Sequence, residues 1–132
     1  MNMVTPEKKE NLIHAAQEAR ESAYAPYSHF KVGAAILAGS GEIYQGCNVE
    51  NASLGLTICA ERNALAHAVV CREQSFSAIS IVTDAPHPTS PCGACRQVLS
   101  EFSPELIVIM QTTGGEELIL SLDKLLPHRF GP

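Results

Sequence analysis

Ser77-Ala78-Ile79-Ser80-Ile81-Val82-Thr83, Pro91-Cys92-Gly93-Ala94-Cys95 and Leu106-Ile107-Val108-Ile109-Met110-Gln111 follow one another in the second half of the chain, and the architecture can be read outward from them. The first and last are apolar, β-branched runs of strand length. The middle one is a turn that opens a helix ending near Phe102, with Val98 and Leu99 as its expected core contacts. A strand, a helix and a strand in succession form the unit from which α/β sheets are built. Downstream, Gly114-Gly115 leads into Leu118-Ile119-Leu120 and then a short helix over 122–126, closed by Pro127. A parallel pair needs a crossover of about a dozen residues, so strands joined by so short a glycine link run antiparallel.

Upstream, Ala60, Asn63, Ala64, Ala66, His67 and Val70 give a helix from Cys59 to about Arg72, with one buried face. Phe30 to Ala38 and Ile43 to Val49 flank Gly39-Ser40-Gly41-Glu42 and read as a hairpin. Thr5-Pro6-Glu7 supplies an N-cap, a proline at the first helical position and an acid in the first turn. Leu12, Ala16, Ala19 and Ala23 then recur at helical spacing as far as Pro26, predicting a first helix over 6–24. The expected product is a three-layer α/β/α sandwich on a five-stranded mixed sheet, a single domain over residues 1–132.

The chain has 132 residues, 45% apolar and 17% charged, enough apolar matter for a core and too little charge for a disordered segment. Its net charge of -5 speaks against a phosphate backbone as the main partner. No nucleic acid and no membrane are expected as partners. Apolar stretches such as 106–110 fall far short of the ~20 residues that span a bilayer. The start, Met1-Asn2-Met3-Val4-Thr5-Pro6-Glu7, lacks a basic-then-apolar signal, so a soluble cytoplasmic protein acting on a small molecule is expected.

Five cysteines, an odd number, argue against a disulfide framework. Cys47 and Cys71, each alone among apolar neighbours, read as small buried packing residues. Cys59, Cys92 and Cys95 differ: Cys59-Ala60-Glu61 and Pro91-Cys92-Gly93-Ala94-Cys95 each open a helix, and one helix and one strand lie between them. That topology brings both helix starts to the same sheet edge. The partial positive charge there favours thiolates, and three thiolates can hold one zinc. No fourth ligand stands out nearby in sequence, and a position left open is the mark of a catalytic rather than a structural zinc. Glu61, two residues after the first thiol, is placed to move protons at that position without ligating the metal. Two other readings stand beside this one: a structural zinc module serving a partner protein, and a thiol–disulfide oxidoreductase using Cys92 and Cys95.

Cys-x-Glu followed by Pro-Cys-x-x-Cys resembles the signature of the zinc-dependent nucleoside deaminases in its three-cysteine form. The likeness extends through Ala25-Pro26-Tyr27-Ser28-His29-Phe30-Lys31-Val32-Gly33-Ala34-Ala35, Gly46-Cys47-Asn48-Val49-Glu50-Asn51-Ala52, Cys59-Ala60-Glu61-Arg62 and Ser90-Pro91-Cys92-Gly93-Ala94-Cys95-Arg96-Gln97-Val98. These segments resemble the short, homotetrameric cytidine deaminases over nearly the whole chain. The resemblance implies one zinc ion (Zn2+) per chain on Cys59, Cys92 and Cys95, with Glu61 as proton shuttle. It implies deamination of cytidine and 2′-deoxycytidine in pyrimidine salvage, within a homotetramer whose sites are shared between subunits.

The same resemblance makes Arg62 a hydrogen-bond donor to a zinc-bound sulfur; Arg96, which directly follows Cys95, is expected beside the ligands on its position alone. It assigns Asn48 and Glu50 to the sugar hydroxyls, Phe30 and Ala60 to the walls around the nucleoside, and Phe130 to stacking on the base in a neighbouring subunit's site. Asn48 and Glu50, two apart in an extended stretch, project to one side. A carboxylate there suits a hydroxyl donor and repels a phosphate, which favours nucleoside over nucleotide. Leu54 departs from the family pattern, standing where many relatives carry a tyrosine. A deaminase of another cytosine compound remains the nearest rival. His14, His29, His67, His87 and His128 lack ligand-like spacing and read as structural or surface residues.

Overall fold

The computed structural model describes residues 4–132; Met1 to Met3, read above as part of a start without a targeting signal, lie outside the described residues. Helix α1, Pro6–Arg20, begins as its sequence dictates: Thr5 Oγ1 accepts from the Lys8 N–H at 3.2 Å, Pro6 opens the helix and Glu7 follows in the first turn. It stops at Arg20 rather than at residue 24. The chain beyond Arg20 is recruited by a distant segment, with the Tyr24 N–H donating to the Asn48 carbonyl at 3.0 Å and the Glu50 N–H donating to the Tyr24 carbonyl at 2.9 Å. This pairing takes up groups that a longer helix would need.

The remaining elements are β1 (Gly33–Ala38), β2 (Ile43–Cys47), α2 (Ala60–Val70), β3 (Phe76–Thr83), α3 (Gly93–Phe102), β4 (Ile107–Thr112), β5 (Glu117–Ser121) and α4 (Leu122–Leu125), with a short 3-10 turn over Leu54–Leu56. The five strands lie in the order β2-β1-β3-β4-β5. Only the β3–β4 pair, joined through α3, is parallel; β4 and β5, joined by a turn with Gly115 at φ +100, are antiparallel as expected. Both hairpin strands are shorter than the sequence suggests. Phe30 precedes β1 instead of beginning it, and Asn48 and Val49 lie beyond the end of β2, because their backbones are engaged elsewhere.

The helices cover both faces of the sheet. On one face Ala34, Ile36, Ile79, Ile81, Val108 and Met110 pack under Ala64, Leu65 and Ala68 of α2, Leu99 of α3 and Leu122 of α4. On the other, Ala35, Leu37, Ala78, Val82 and Ile109 pack under Leu12, Ile13 and Ala16 of α1. β1 is therefore buried along its whole length, which is why it reads as a continuous apolar run without alternation. Leu99 is buried as expected. Val98 is not: one residue is a rotation of about 100° on a helix, and the α3 face that meets the sheet is that of Cys95 and Leu99, leaving Val98 37% exposed. Cys71 is exposed and Cys47 only half-buried, so neither is the buried packing residue expected. Cys71 is the C-cap of α2, at the end of the helix where Val69 and Val70 are exposed as well.

Glycine sets how near the helices approach. A Cβ on Gly33 would lie 1.9 Å from the Ala16 carbonyl oxygen of α1, and one on Gly46 would lie 2.3 Å from the Ala64 nitrogen and 2.4 Å from the Ala60 carbonyl oxygen of α2. Helix and strand backbones touch at both places. Among the described residues no helix is long and apolar enough to cross a membrane.

Candidate active site

Cys59 and Cys92 are the N-cap residues of α2 and α3, extended in backbone and free of any side-chain cap bond, so their sulfurs can turn toward each other. They stand 3.9 Å apart, and with Cys95, buried one turn into α3, they form a set whose sulfurs all lie within 4.8 Å of one another. Sulfurs held about 2.3 Å from a tetrahedral zinc stand about 3.8 Å from each other, so the Cys59–Cys92 spacing already suits that ion. Arg62, one turn into α2, donates from Nη2 to the Cys59 sulfur at 3.5 Å.

Hydrogen bonds from Cys95, Arg62 and Cys92 bring Cys59 down to about 5, against the opposition of burial. Cys95, which donates to Cys59 and is itself buried, is pushed up. Arg62 is raised by its bonds to the sulfurs of Cys59 and Cys95. The cluster thus attracts positive charge, and a dication replacing thiol protons relieves the repulsion among three anions. Cys92 is exposed, so Cys92→Ser should fold while losing stoichiometric zinc by elemental analysis; full retention of metal would remove it from the ligand set.

Glu61 is 5% exposed at the start of α2, beside the thiols. Burial raises its carboxyl to about 7, the Cys59 charge adding to this and Arg62 opposing it. Glu61, Cys59, Ala60 and Cys92 line one side of a cavity of about 250 Å³. Phe30, Asn48 and Glu50 line it from other segments, so the sequence-derived residues of a single chain, apart from the fully buried Cys95, Phe130 and the two arginines, converge on one space.

The far wall is tightly braced. Glu50 accepts at Oε1 from the Tyr27 N–H at 2.9 Å and the Ser28 N–H at 3.1 Å, and at Oε2 from the Ser28 hydroxyl. These bonds, that of the Ser28 hydroxyl foremost, hold its carboxyl below the usual range. Asn48 is buried and turns its carboxamide on the loop before β1, Nδ2 donating to the Phe30 carbonyl at 2.8 Å and Oδ1 accepting from the Val32 N–H at 2.9 Å. One amide hydrogen and one lone pair remain for a ligand.

Arg96 does not touch the sulfurs. It donates to the Pro91 carbonyl at 2.8 Å, the Ser90 hydroxyl at 2.9 Å and the Leu125 carbonyl at 3.0 Å, fastening the loop ahead of Cys92 to the end of α4. Phe130 lies outside the cavity and is 85% exposed, yet its backbone is fixed: its N–H donates to Gln97 Oε1 at 3.1 Å and its carbonyl accepts from Gln97 Nε2 at 3.0 Å. Leu54 and its neighbour Leu56 are exposed. No histidine joins the thiol set among the described residues. The sequence reading passed over Ser28, Thr57, Thr89 and Ser90, which also line the cavity. Of these only Ser28 carried a local signal, a serine in a proline turn ahead of an apolar strand.

A family model described as the cytidine and deoxycytidylate deaminase zinc-binding region matches residues 6–111. The chain belongs to this deaminase family. The matched stretch holds the three thiols, Glu61, Asn48 and Glu50 and stops short of Phe130. Among relatives, a cytidine deaminase of Sporosarcina psychrophila is 48% identical over 122 residues, covering 92% of this chain and 90% of that protein. One of Halalkalibacterium halodurans is 45% identical over 123 residues, covering 92% and 93%. The crystal structure of cytidine deaminase from Burkholderia pseudomallei superposes with a TM-score of 0.89 at 48% identity, covering 92% of this chain and 98% of that one. For the enzyme of Mycobacterium tuberculosis the TM-score is 0.82 at 37% identity, with 94% and 98% covered. The α/β deaminase fold and the zinc-binding character read from the sequence hold.

Proposed function

We propose that this deaminase converts cytidine and 2′-deoxycytidine to uridine and 2′-deoxyuridine with release of ammonia. The observation that carries the reading is the buried Glu61 carboxyl beside three convergent thiols, facing a cavity whose opposite wall presents the Glu50 carboxylate. The family takes in both nucleoside and nucleotide substrates, and Glu50 supports the nucleoside: an anion held deprotonated by three donors attracts sugar hydroxyls and repels a phosphate.

Cys59, Cys92 and Cys95 would hold the zinc, which when bound would supply the Lewis acidity that makes water nucleophilic near neutral pH. Glu61 takes a proton from the water that attacks C4 and delivers it to ring N3. It then carries the hydroxyl proton to the departing amine as the carbon–nitrogen bond breaks, so one water is consumed and one ammonia leaves. Arg62, against the Cys59 sulfur, offsets the excess of three thiolates over a dication. Arg96 acts at one remove, holding the Ser90–Pro91 loop and with it Cys92. Phe30 and Ala60 flank the nucleoside, while Asn48 and Glu50 take its sugar.

Phe130 serves a second copy of the chain, in a homotetramer with shared sites. An aromatic ring held by two backbone bonds and turned outward supports this, as do the exposed Tyr24, Val49, Leu54 and Leu56. Deleting residues 128–132 should raise KM for cytidine or dissociate the oligomer on a sizing column; no change in either would refute the shared site. Residues 1–132 act as one domain, in the cytoplasm and in pyrimidine salvage; five unpaired thiols suit a reducing compartment. Ammonia release from cytidine, deoxycytidine, cytosine and cytidine monophosphate, with zinc measured on the same sample, tests the whole reading. Preference for the monophosphate would overturn the role given to Glu50.

A further inference from the structure

β1 begins at Gly33, so Phe30, Lys31 and Val32 stand outside the sheet, although Phe30 and Val32 line the cavity. His29, just before them, lies at φ 59, a left-handed conformation that a non-glycine residue keeps only when its surroundings hold it there. Side chains supply most of that hold. The Phe30 N–H donates to Ser28 Oγ at 3.0 Å, and Asn48 grips the Phe30 carbonyl and the Val32 N–H. The Lys31 carbonyl, between them, accepts from Arg20 Nε at 3.1 Å. Ser28 and Asn48 line the cavity themselves, whereas Arg20 approaches the segment from behind.

Arg20 is well fixed for this task. Its side chain is only 16% exposed, and a different nitrogen, Nη2, meets Asp84 at 3.1 Å, so the planar fork is anchored at two points. It sits in the last turn of α1, where a cation complements the helix dipole. Its reach depends on Gly33: a Cβ there would come within 2.6 Å of the Arg20 nitrogen and 2.8 Å of its Cβ. The bare glycine lets the end of α1 lie directly over the segment.

We propose that Arg20 is a positioning residue that sets the place of the Phe30 wall through the Lys31 carbonyl and thereby the grip on the nucleoside. This rests on the role given to Phe30 above. Arg20→Met keeps the aliphatic stem over Gly33 and removes every donor. It should raise KM for cytidine about fivefold, the scale of one lost hydrogen bond, with kcat and zinc content near parental. Amide hydrogen exchange at Phe30 and Val32 should quicken in the same variant. Arg20→Lys, which keeps a donor within reach, should recover part of the KM loss. Asp84→Ala, which removes one of the two anchors of the fork, should raise KM and quicken exchange by less than Arg20→Met does, and Arg20→Met combined with Phe30→Ala should raise KM by less than the product of the single effects.

Parental exchange and parental KM in Arg20→Met would overturn the proposal, as would an Asp84→Ala variant whose effect exceeded that of Arg20→Met, since Asp84 would then not be acting through Arg20. Exchange needs no substrate and therefore separates the two claims. Quickened exchange with unchanged KM would show that Arg20 holds the segment but that the segment does not hold the nucleoside. A parental KM in Phe30→Ala would remove the wall itself, and the proposal with it.

Discussion

Glu61→Gln should lose at least about 10²–10⁴-fold in kcat for cytidine, the range typical of a positioned acid–base, while zinc content stays at the parental level. The amide keeps the size and much of the polarity of the carboxyl but cannot cycle a proton. The folded state should not suffer, because Glu61 is buried beside sulfurs that carry negative charge and removing its own charge relieves that repulsion. Turnover should therefore collapse while the melting temperature holds or rises. This combination separates a proton shuttle from a residue that merely supports α2, whose loss would lower activity, metal and stability together. Near-parental turnover in Glu61→Gln would remove the carboxyl from the mechanism.

Gly46→Ala should destabilise the chain by about 1–3 kcal/mol, as overpacking of a filled site does, a fall of roughly 4–12 °C in Tm. The added methyl would meet the Ala64 nitrogen at 2.3 Å, the Ala60 carbonyl oxygen at 2.4 Å and the Ala64 Cα at 2.8 Å, all backbone atoms of α2. No side chain is there to swing aside, so α2 must lift from β2. Because α2 carries Cys59 at its N-cap and Glu61 in its first turn, lifting it shifts both against Cys92 and Cys95. Zinc affinity and kcat should fall along with stability. Gly114→Ala, where an added Cβ meets only the Thr112 hydroxyl at an ordinary 3.7 Å, is the control and should melt with the parent. A Gly46→Ala variant that kept parental Tm and zinc would show that the close approach of α2 to β2 does not matter to the site.

The two variants draw on information of different ranges. Glu61 and its thiol partners are legible because a helix start is a local event: an extended N-cap, a first turn and a two- or three-residue spacing place Cys59, Glu61, Cys92 and Cys95 before any distant contact is known. The antiparallel β4–β5 pair is equally local, a short glycine turn that permits nothing else. The two sides of β1 could not be separated by alternation because both are buried. Its hairpin partner β2 is legible from the short glycine turn between them, whereas its pairing with β3 on the other edge follows from packing.

Where the sequence misleads, a long-range bond outbids a local preference. Alanine spacing carries α1 on to residue 24, but Tyr24 is claimed by the backbone of Asn48 and Glu50. The apolar run from Phe30 suggests a strand, but Asn48 and Arg20 hold those residues off the sheet as a cavity wall. Val98 is turned outward by which face of α3 meets the sheet, and Phe130 by a glutamine far from it in sequence. Element order, helix starts and the metal-binding chemistry were written in the amino-acid order, since each depends on neighbours a few residues away. The cavity, the bracing of its walls and the direction each aromatic faces were settled by folding, because their partners are segments that only three-dimensional packing brings within hydrogen-bonding reach.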